Sequence, residues 1–171
     1  MTPRERRILS DYQRLQKEFS VHPNIKIINI GDIMPPERYT VRYQDVKGIV
    51  LNGKSTPEEK VVDYIYTHEA EIYLHNDYPK YKPLCYMKTE IFHPNIRKSK
   101  PNDICIGDYW APGESLSDII YLIGEMIMFQ NYNINSPLNG IAAKWARENI
   151  EKFPLSNLNL HLAEPEIEFK I

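Results

Sequence analysis

The sequence predicts an α+β domain: an N-terminal helix, a four-stranded antiparallel meander, a long loop and C-terminal helices. Three observations lead there. Apolar residues recur at helical spacing over the first twenty positions and again beyond Leu116. Between these stretches lie segments of period two, with no helical pattern between them to carry parallel crossovers. Phe92 to Gly113 then runs without any sustained period and holds Pro94, Pro101 and Pro112.

The first helix spans Met1 to Ser20. Ile8, Tyr12, Leu15 and Phe19 make its apolar stripe, and Thr2-Pro3-Arg4-Glu5 supplies a capping hydroxyl, a first-turn proline and a reciprocal glutamate. Arg4, Arg6, Arg7, Arg14 and Lys17 occupy the other face, as a solvated surface or a docking one. Strands follow at Ile25–Ile30, through Tyr39, Val41 and Tyr43, from Val62 to Leu74, and at Leu84–Ile91. Turns at Pro35-Pro36, Asn52-Gly53 and Asn76-Asp77 separate them. Leu116, Ile119, Ile120, Ile123 and Ile127 form one stripe of the next helix; Leu122, Met126 and Phe129 form a second, which places it centrally. Ser136-Pro137 reads as cap and first position of a last helix, Leu138 to Phe153, with Ile141, Ala142, Trp145 and Ile150 inward. Residues 1–154 then form the domain, and 155–171 a tail that ends acidic at Glu164, Glu166 and Glu168.

Composition narrows the function. The 171 residues are 42% hydrophobic and 26% charged, which excludes a disordered chain. Twenty-one Lys and Arg against 23 Asp and Glu leave a net charge of −2, without the basic excess of a nucleic-acid binder. No apolar run approaches the ~18 residues of a membrane span. The charged first twenty residues do not read as a signal peptide, and two cysteines are too few for a disulfide framework. The expected setting is the cytoplasm. Scattered His22, His68, His75 and His161 do not suggest a metal site, and no phosphate-binding loop or other cofactor motif is present.

Chemistry therefore centres on the long loop, which reads as an active-site loop, since unstructured stretches of this length are usually functional. Cys85 alternates with Met87, Thr89 and Ile91 and reads as a small buried hydrophobe. Cys105 sits in the loop between Ile104 and Ile106. A nucleophilic hydrolase would need a base beside it, yet the nearest histidine, His93, is twelve residues upstream and precedes a proline. A cysteine without a base suits the holding of an acyl group as a thioester and its transfer to an amine.

Taken in order, Tyr78-Pro79-Lys80-Tyr81-Lys82-Pro83, His93-Pro94-Asn95, Ile104-Cys105-Ile106 and Trp110-Ala111-Pro112 resemble the ubiquitin-conjugating enzyme family, over Thr2 to about Phe153. The resemblance implies that Cys105 accepts ubiquitin or a ubiquitin-like modifier from an activating enzyme, without a cofactor. It implies that the Asn95 amide stabilises the oxyanion or orders the neighbouring loop, and that His93 fixes the turn. Ser136 falls at the gate beside the incoming lysine, in addition to its reading as a helix cap. Arg4, Arg6 and Arg7 would meet the activating enzyme; Tyr81, Trp110 and Pro112 would face a ligase or substrate protein. The chain departs from the family in places. Cys105 to Trp110 is shorter than usual, Asn95 to Cys105 is longer, and Lys80 stands where an aromatic is common. Thr56-Pro57 only echoes the family's hairpin signature, and no fourth helix is evident after Phe153. These point to a divergent member, similar to the conjugating-like proteins of bacterial operons. The rival readings are a non-catalytic modifier-binding variant of the same fold and a cysteine hydrolase.

Overall fold

A computed structural model describes residues 1–161; the acidic residues expected at 164–168 lie outside the described residues. Helix α1 covers Pro3–Phe19, and its start follows the sequence signal. The Thr2 hydroxyl accepts from the Glu5 N–H at 3.1 Å, and the Glu5 carboxylate accepts from the Thr2 N–H at 2.6 Å. Four strands follow, β1 (Ile25–Ile30), β2 (Arg38–Leu51), β3 (Val62–Tyr73) and β4 (Leu84–Met87), antiparallel in the order β1-β2-β3-β4. Helices α2 (Leu116–Ile127) and α3 (Gly140–Glu148) and a 3-10 turn (Ile150–Lys152) complete the order.

Two strands differ from expectation. β2 runs on to Leu51 because its register shifts between Gln44 and Gly48, with Asp45 at φ 58°, so pairing with β3 resumes beyond a bulge. β4 stops at Met87 rather than Ile91. The Lys88 N–H turns instead to the Glu69 carbonyl at 2.8 Å, and the Phe92 N–H reaches the Ile49 carbonyl at 2.7 Å.

The sheet buries one face against α1 and α2. Ile8, Leu15 and Phe19 of α1 meet Val41, Tyr43 and Ala70 of the sheet and the inward residues of α2 in one core. Both expected stripes of α2 are used: nine of its twelve residues are buried. The buried Tyr43 hydroxyl donates to the Ile120 carbonyl at 2.7 Å, which satisfies the one polar atom of that side chain. A smaller cluster of Phe92, Phe129, Trp145 and Phe153 seats α3.

Helix α3 is where the reading of the sequence fails most. It begins at Gly140, capped by Asn139, whose side chain accepts from the Ala142 N–H at 3.0 Å. Ser136 is therefore not the cap. Leu138 and Asn139 instead give their N–H groups to the Pro94 carbonyl, at 2.9 and 3.0 Å, tying this segment to the long loop. The inward face of α3 is Ala142, Ala143, Trp145 and Ala146, while Ile141, and Ile150 in the 3-10 turn, are exposed. Beyond the 3-10 turn the chain forms no further helix or strand up to residue 161. Leu160 is buried against α2, and its carbonyl lies 2.7 Å from His22 Nε2.

Gly48, at the bulge, has no room for a side chain. A Cβ there would lie 2.6 Å from the His68 ring and 2.9 Å from Ile127, both fully buried. Gly48→Ala is expected to cost about 1–3 kcal/mol by overpacking, read as a lower urea midpoint with unchanged slope. An unchanged midpoint would show that this junction yields freely.

Candidate functional site

The long loop lacks strands of its own, yet main-chain bonds fix it closely. Ile96 and Ile104 form an isolated bridge, the Arg97 N–H donates to the Asp103 carbonyl at 2.9 Å, and the Ile104 N–H donates to the Cys85 carbonyl at 2.9 Å. Cys105 is held in turn by its N–H, which donates to the Asn95 carbonyl at 2.9 Å. Its neighbours Ile104 and Ile106 pack on the core, and Cys105 itself lines a surface groove of about 340 Å³ with Asn95, Gly107, Asp108, Tyr132 and Ser136. Gly107 sits at φ 91°, a conformation that favours glycine. The Lys82 ammonium donates to its carbonyl.

The two thiols occupy opposite settings. Cys85 is buried in β4, and burial pushes its thiol up to about 12, so it presents no thiolate near neutrality. Cys105 is partly exposed, and no histidine lines its groove among the described residues.

Asn95 is buried, and its amide closes a two-point clamp on the main chain of one residue, Asn133. Its Oδ1 accepts from the Asn133 N–H at 2.7 Å, and its Nδ2 donates to the Asn133 carbonyl at 2.7 Å. The loop from Asn131 to Ser136 is thereby set as the far wall of the groove, with one Nδ2 hydrogen left over.

His93 is fully buried, and its Nδ1 accepts from the Asn95 N–H at 3.0 Å, which puts the proton on Nε2. That Nε2 has no hydrogen-bond partner, the Met126 carbonyl being too poorly placed to serve, and the ring meets Phe129 edge-on at 4.6 Å. Burial holds the imidazole down to about 3. It is a poor base whose good lone pair is already engaged. His68, buried between β3 and the bulge, is likewise held down to about 4. An unfolded chain protonates both rings near pH 6.5, whereas the fold keeps them neutral. Stability therefore falls as pH drops below 6.5, until each ring protonates in the fold near its own lowered value. A loss of about 2 kcal/mol per histidine is expected between pH 7 and 5, measurable by urea denaturation at the two pH values. Equal stability at both would contradict neutral buried rings.

The arginines of α1 divide. Of Arg4, Arg6 and Arg7, only Arg6 is exposed, as is Arg14 farther along the helix. Arg4 pairs with Glu37 at 2.6 Å and caps the carbonyls of Leu74 and His75. Arg7 grips both oxygens of buried Asp11, the Tyr78 hydroxyl, and the carbonyls of Pro112 and Glu114. Tyr78 donates to Asp11 at 2.6 Å, and Trp110 Nε1 donates to the Pro79 carbonyl at 2.8 Å. Two of the three arginines thus bind α1 to the Tyr78 and Trp110 loops rather than lying free, because Asp11 is buried beside them. Trp110 is partly buried against Tyr78, while Tyr81 and Pro112 remain exposed on the same end.

The groove unites Cys105, Asn95 and Ser136, and His93 stands behind them. Asn133 and Asp108 are additions that the sequence reading missed. The polar run Asn131–Asn135 marks a turn after α2, but nothing local reveals Asn95 as its partner. Among the described residues no group of three potential metal ligands occurs, and no helix is long and apolar enough to cross a membrane.

Comparisons with known proteins bear on the family and the fold. The family described as ubiquitin-conjugating enzyme matches residues 14–157. The chain is 31% identical over 141 residues to the ubiquitin-conjugating enzyme E2 15 of Schizosaccharomyces pombe, covering 70% of this chain and 79% of that one. It is 25% identical over 144 residues to an Arabidopsis thaliana protein described as NEDD8-conjugating and Ubc12-like, covering 80% and 71%. In fold it is similar to a Plasmodium yoelii structure described as a ubiquitin conjugating enzyme, with a TM-score of 0.61, 20% identity and 88% of each chain covered. Helix, four-stranded meander, clamped loop and family match converge, and the chain belongs to the ubiquitin-conjugating enzyme family.

Proposed function

We propose that this chain carries ubiquitin or a ubiquitin-like protein as a thioester on Cys105 and passes it to an amine of a substrate protein. The observation that supports the reading best is the contrast between the thiols: Cys105 is partly exposed in a groove with Asn95, while Cys85 is buried. In the first step the Cys105 sulfur attacks the modifier's terminal carbonyl on the activating enzyme, whose own thiol leaves. In the second, the substrate amine attacks the new thioester, the Cys105 sulfur leaves, and the amine gives up a proton. A groove without a lining imidazole lacks the residue that would most readily activate water, which favours aminolysis over hydrolysis.

Asn95 holds the wall opposite Cys105 and has one amide hydrogen to offer a developing oxyanion. His93 sets the Asn95 main chain. Ser136 stands exposed on the acceptor side. Arg6 offers an open charge of α1 to the activating enzyme, with Arg4 and Arg7 shaping that face, and Tyr81, Trp110 and Pro112 form the end offered to a ligase or substrate protein. The free thiols suit a reducing cytoplasm. Incubation with an activating enzyme, ATP and the modifier, followed by a non-reducing gel, tests the proposal. A thiol-labile adduct supports it. Affinity without adduct would instead favour a binding variant, and consumption of conjugate a hydrolase.

A further inference from the structure

A second groove, of about 330 Å³, runs beside the hairpin that carries Cys105. Lys88, Arg97, Lys98 and Lys100 line it, against a single carboxylate, Glu90. Arg97 is paired with Asp103 at 3.1 Å. The three lysines are exposed, and their ammonium groups make neither ion pair nor hydrogen bond among the described residues. A chain of net charge −2 thus presents a local basic groove. Glu90 and Ile91 also line it, and their N–H groups donate to no carbonyl among the described residues. The neighbouring larger cleft is more nearly balanced, since Lys60, Lys98, Lys144 and Lys152 there face Glu58, Glu59 and Glu148.

Geometry connects this groove to the reacting sulfur. The Cys105 N–H meets the Asn95 carbonyl, Ile104 bridges Ile96, and the Arg97 N–H meets the Asp103 carbonyl, so one hairpin carries both. Asn102 lines the groove three residues before Cys105, a reach of about 10 Å at the extended rise of ~3.3 Å per residue. A peptide whose lysine stands at Cys105 would bring residues about three to five positions away alongside Lys88, Lys98 and Lys100.

We infer that this groove seats an extended acidic segment of the acceptor protein, with Asp or Glu about three to five residues from the lysine that attacks the thioester. The inference rests on the conjugating function proposed above and adds the chemistry of the substrate. Free main-chain donors would pair with the segment's carbonyls while the lysines select its charge.

The test uses two fluorescein-labelled lysine peptides, alike except for Asp and Glu in one and Ser and Gln in the other. Anisotropy is measured with the uncharged full chain. The acidic peptide is expected to bind at least about fivefold more tightly, as two or three exposed ion pairs provide. Its advantage should vanish in 1 M salt, where the screening length is about 3 Å. It should vanish equally in the Lys88→Glu/Lys98→Glu/Lys100→Glu variant and persist in a Lys17→Glu/Lys26→Glu/Lys54→Glu control on other surfaces. With charged protein, the groove variant should discharge normally to free lysine and about fivefold more slowly to the acidic peptide. Equal binding of the two peptides, or equal loss in the control, would overturn the inference. A chain that never charges would defeat the conjugating function instead, and the anisotropy would still decide the groove.

Discussion

Cys105→Ser is expected to lose the thiol-labile adduct entirely. A thiol is a few per cent thiolate at neutral pH and intrinsically very nucleophilic, whereas a serine hydroxyl needs a neighbouring base. No histidine lines the groove among the described residues, its carboxylate Asp108 makes no hydrogen bond to Cys105, and His93 is buried with its Nδ1 engaged by the Asn95 N–H. Loss of a nucleophile costs other enzymes about 10⁶ in kcat, so charging falls below detection on a gel. Any trace product would be an ester that survives reducing agent. Cys85→Ala is the matched control. That thiol, buried and pushed up to about 12, takes no part in transfer, and its removal costs about 1–2 kcal/mol of stability with charging intact. Loss of adduct in Cys85→Ala while it folds would reverse the assignment of the two sulfurs.

Asn95→Ala is expected to charge nearly normally yet discharge to lysine about 10²–10³-fold more slowly, the usual effect of deleting an oxyanion donor. The same change frees the Asn133 main-chain N–H and carbonyl from their bonds to the Asn95 amide. Asn95→Asp separates the two contributions. Its carboxylate still accepts from the Asn133 N–H but offers no donor and places negative charge where the oxyanion forms. Discharge from Asn95→Asp should be at least as slow as from Asn95→Ala, in single-turnover assays of the isolated thioester. Equal losses of charging and discharge in Asn95→Ala would remove the oxyanion role.

Much of this was legible in the chain because the relevant interactions are local. Thr2 and Glu5 cap α1 across three residues, a β-branched run marked β1, and alternation marked β3 and the start of β4. Cys105, Asn95 and His93 could be picked out because their motifs follow in order along one loop. What escaped depends on distant partners. Ser136 loses the helix start to Asn139 because the Pro94 carbonyl, more than forty residues upstream, takes the N–H groups of Leu138 and Asn139. The aromatic cluster of Phe92, Phe129 and Phe153 takes Ala142, Trp145 and Ala146 as the inward face and leaves Ile141 exposed. Arg4 and Arg7 looked like surface charge until Glu37 and the buried Asp11 were seen to hold them. Nor could spacing show that Asn95 closes on the main chain of Asn133.

The decisive measurement is the intact mass of the chain after incubation with activating enzyme, ATP and modifier, followed by mapping of the joined peptide. The account predicts one added modifier, the two masses summed less one water, attached at Cys105 and released by thiol. A modifier found on Cys85 or on a lysine without passage through Cys105, or an unmodified chain beside an active activating enzyme, would contradict it.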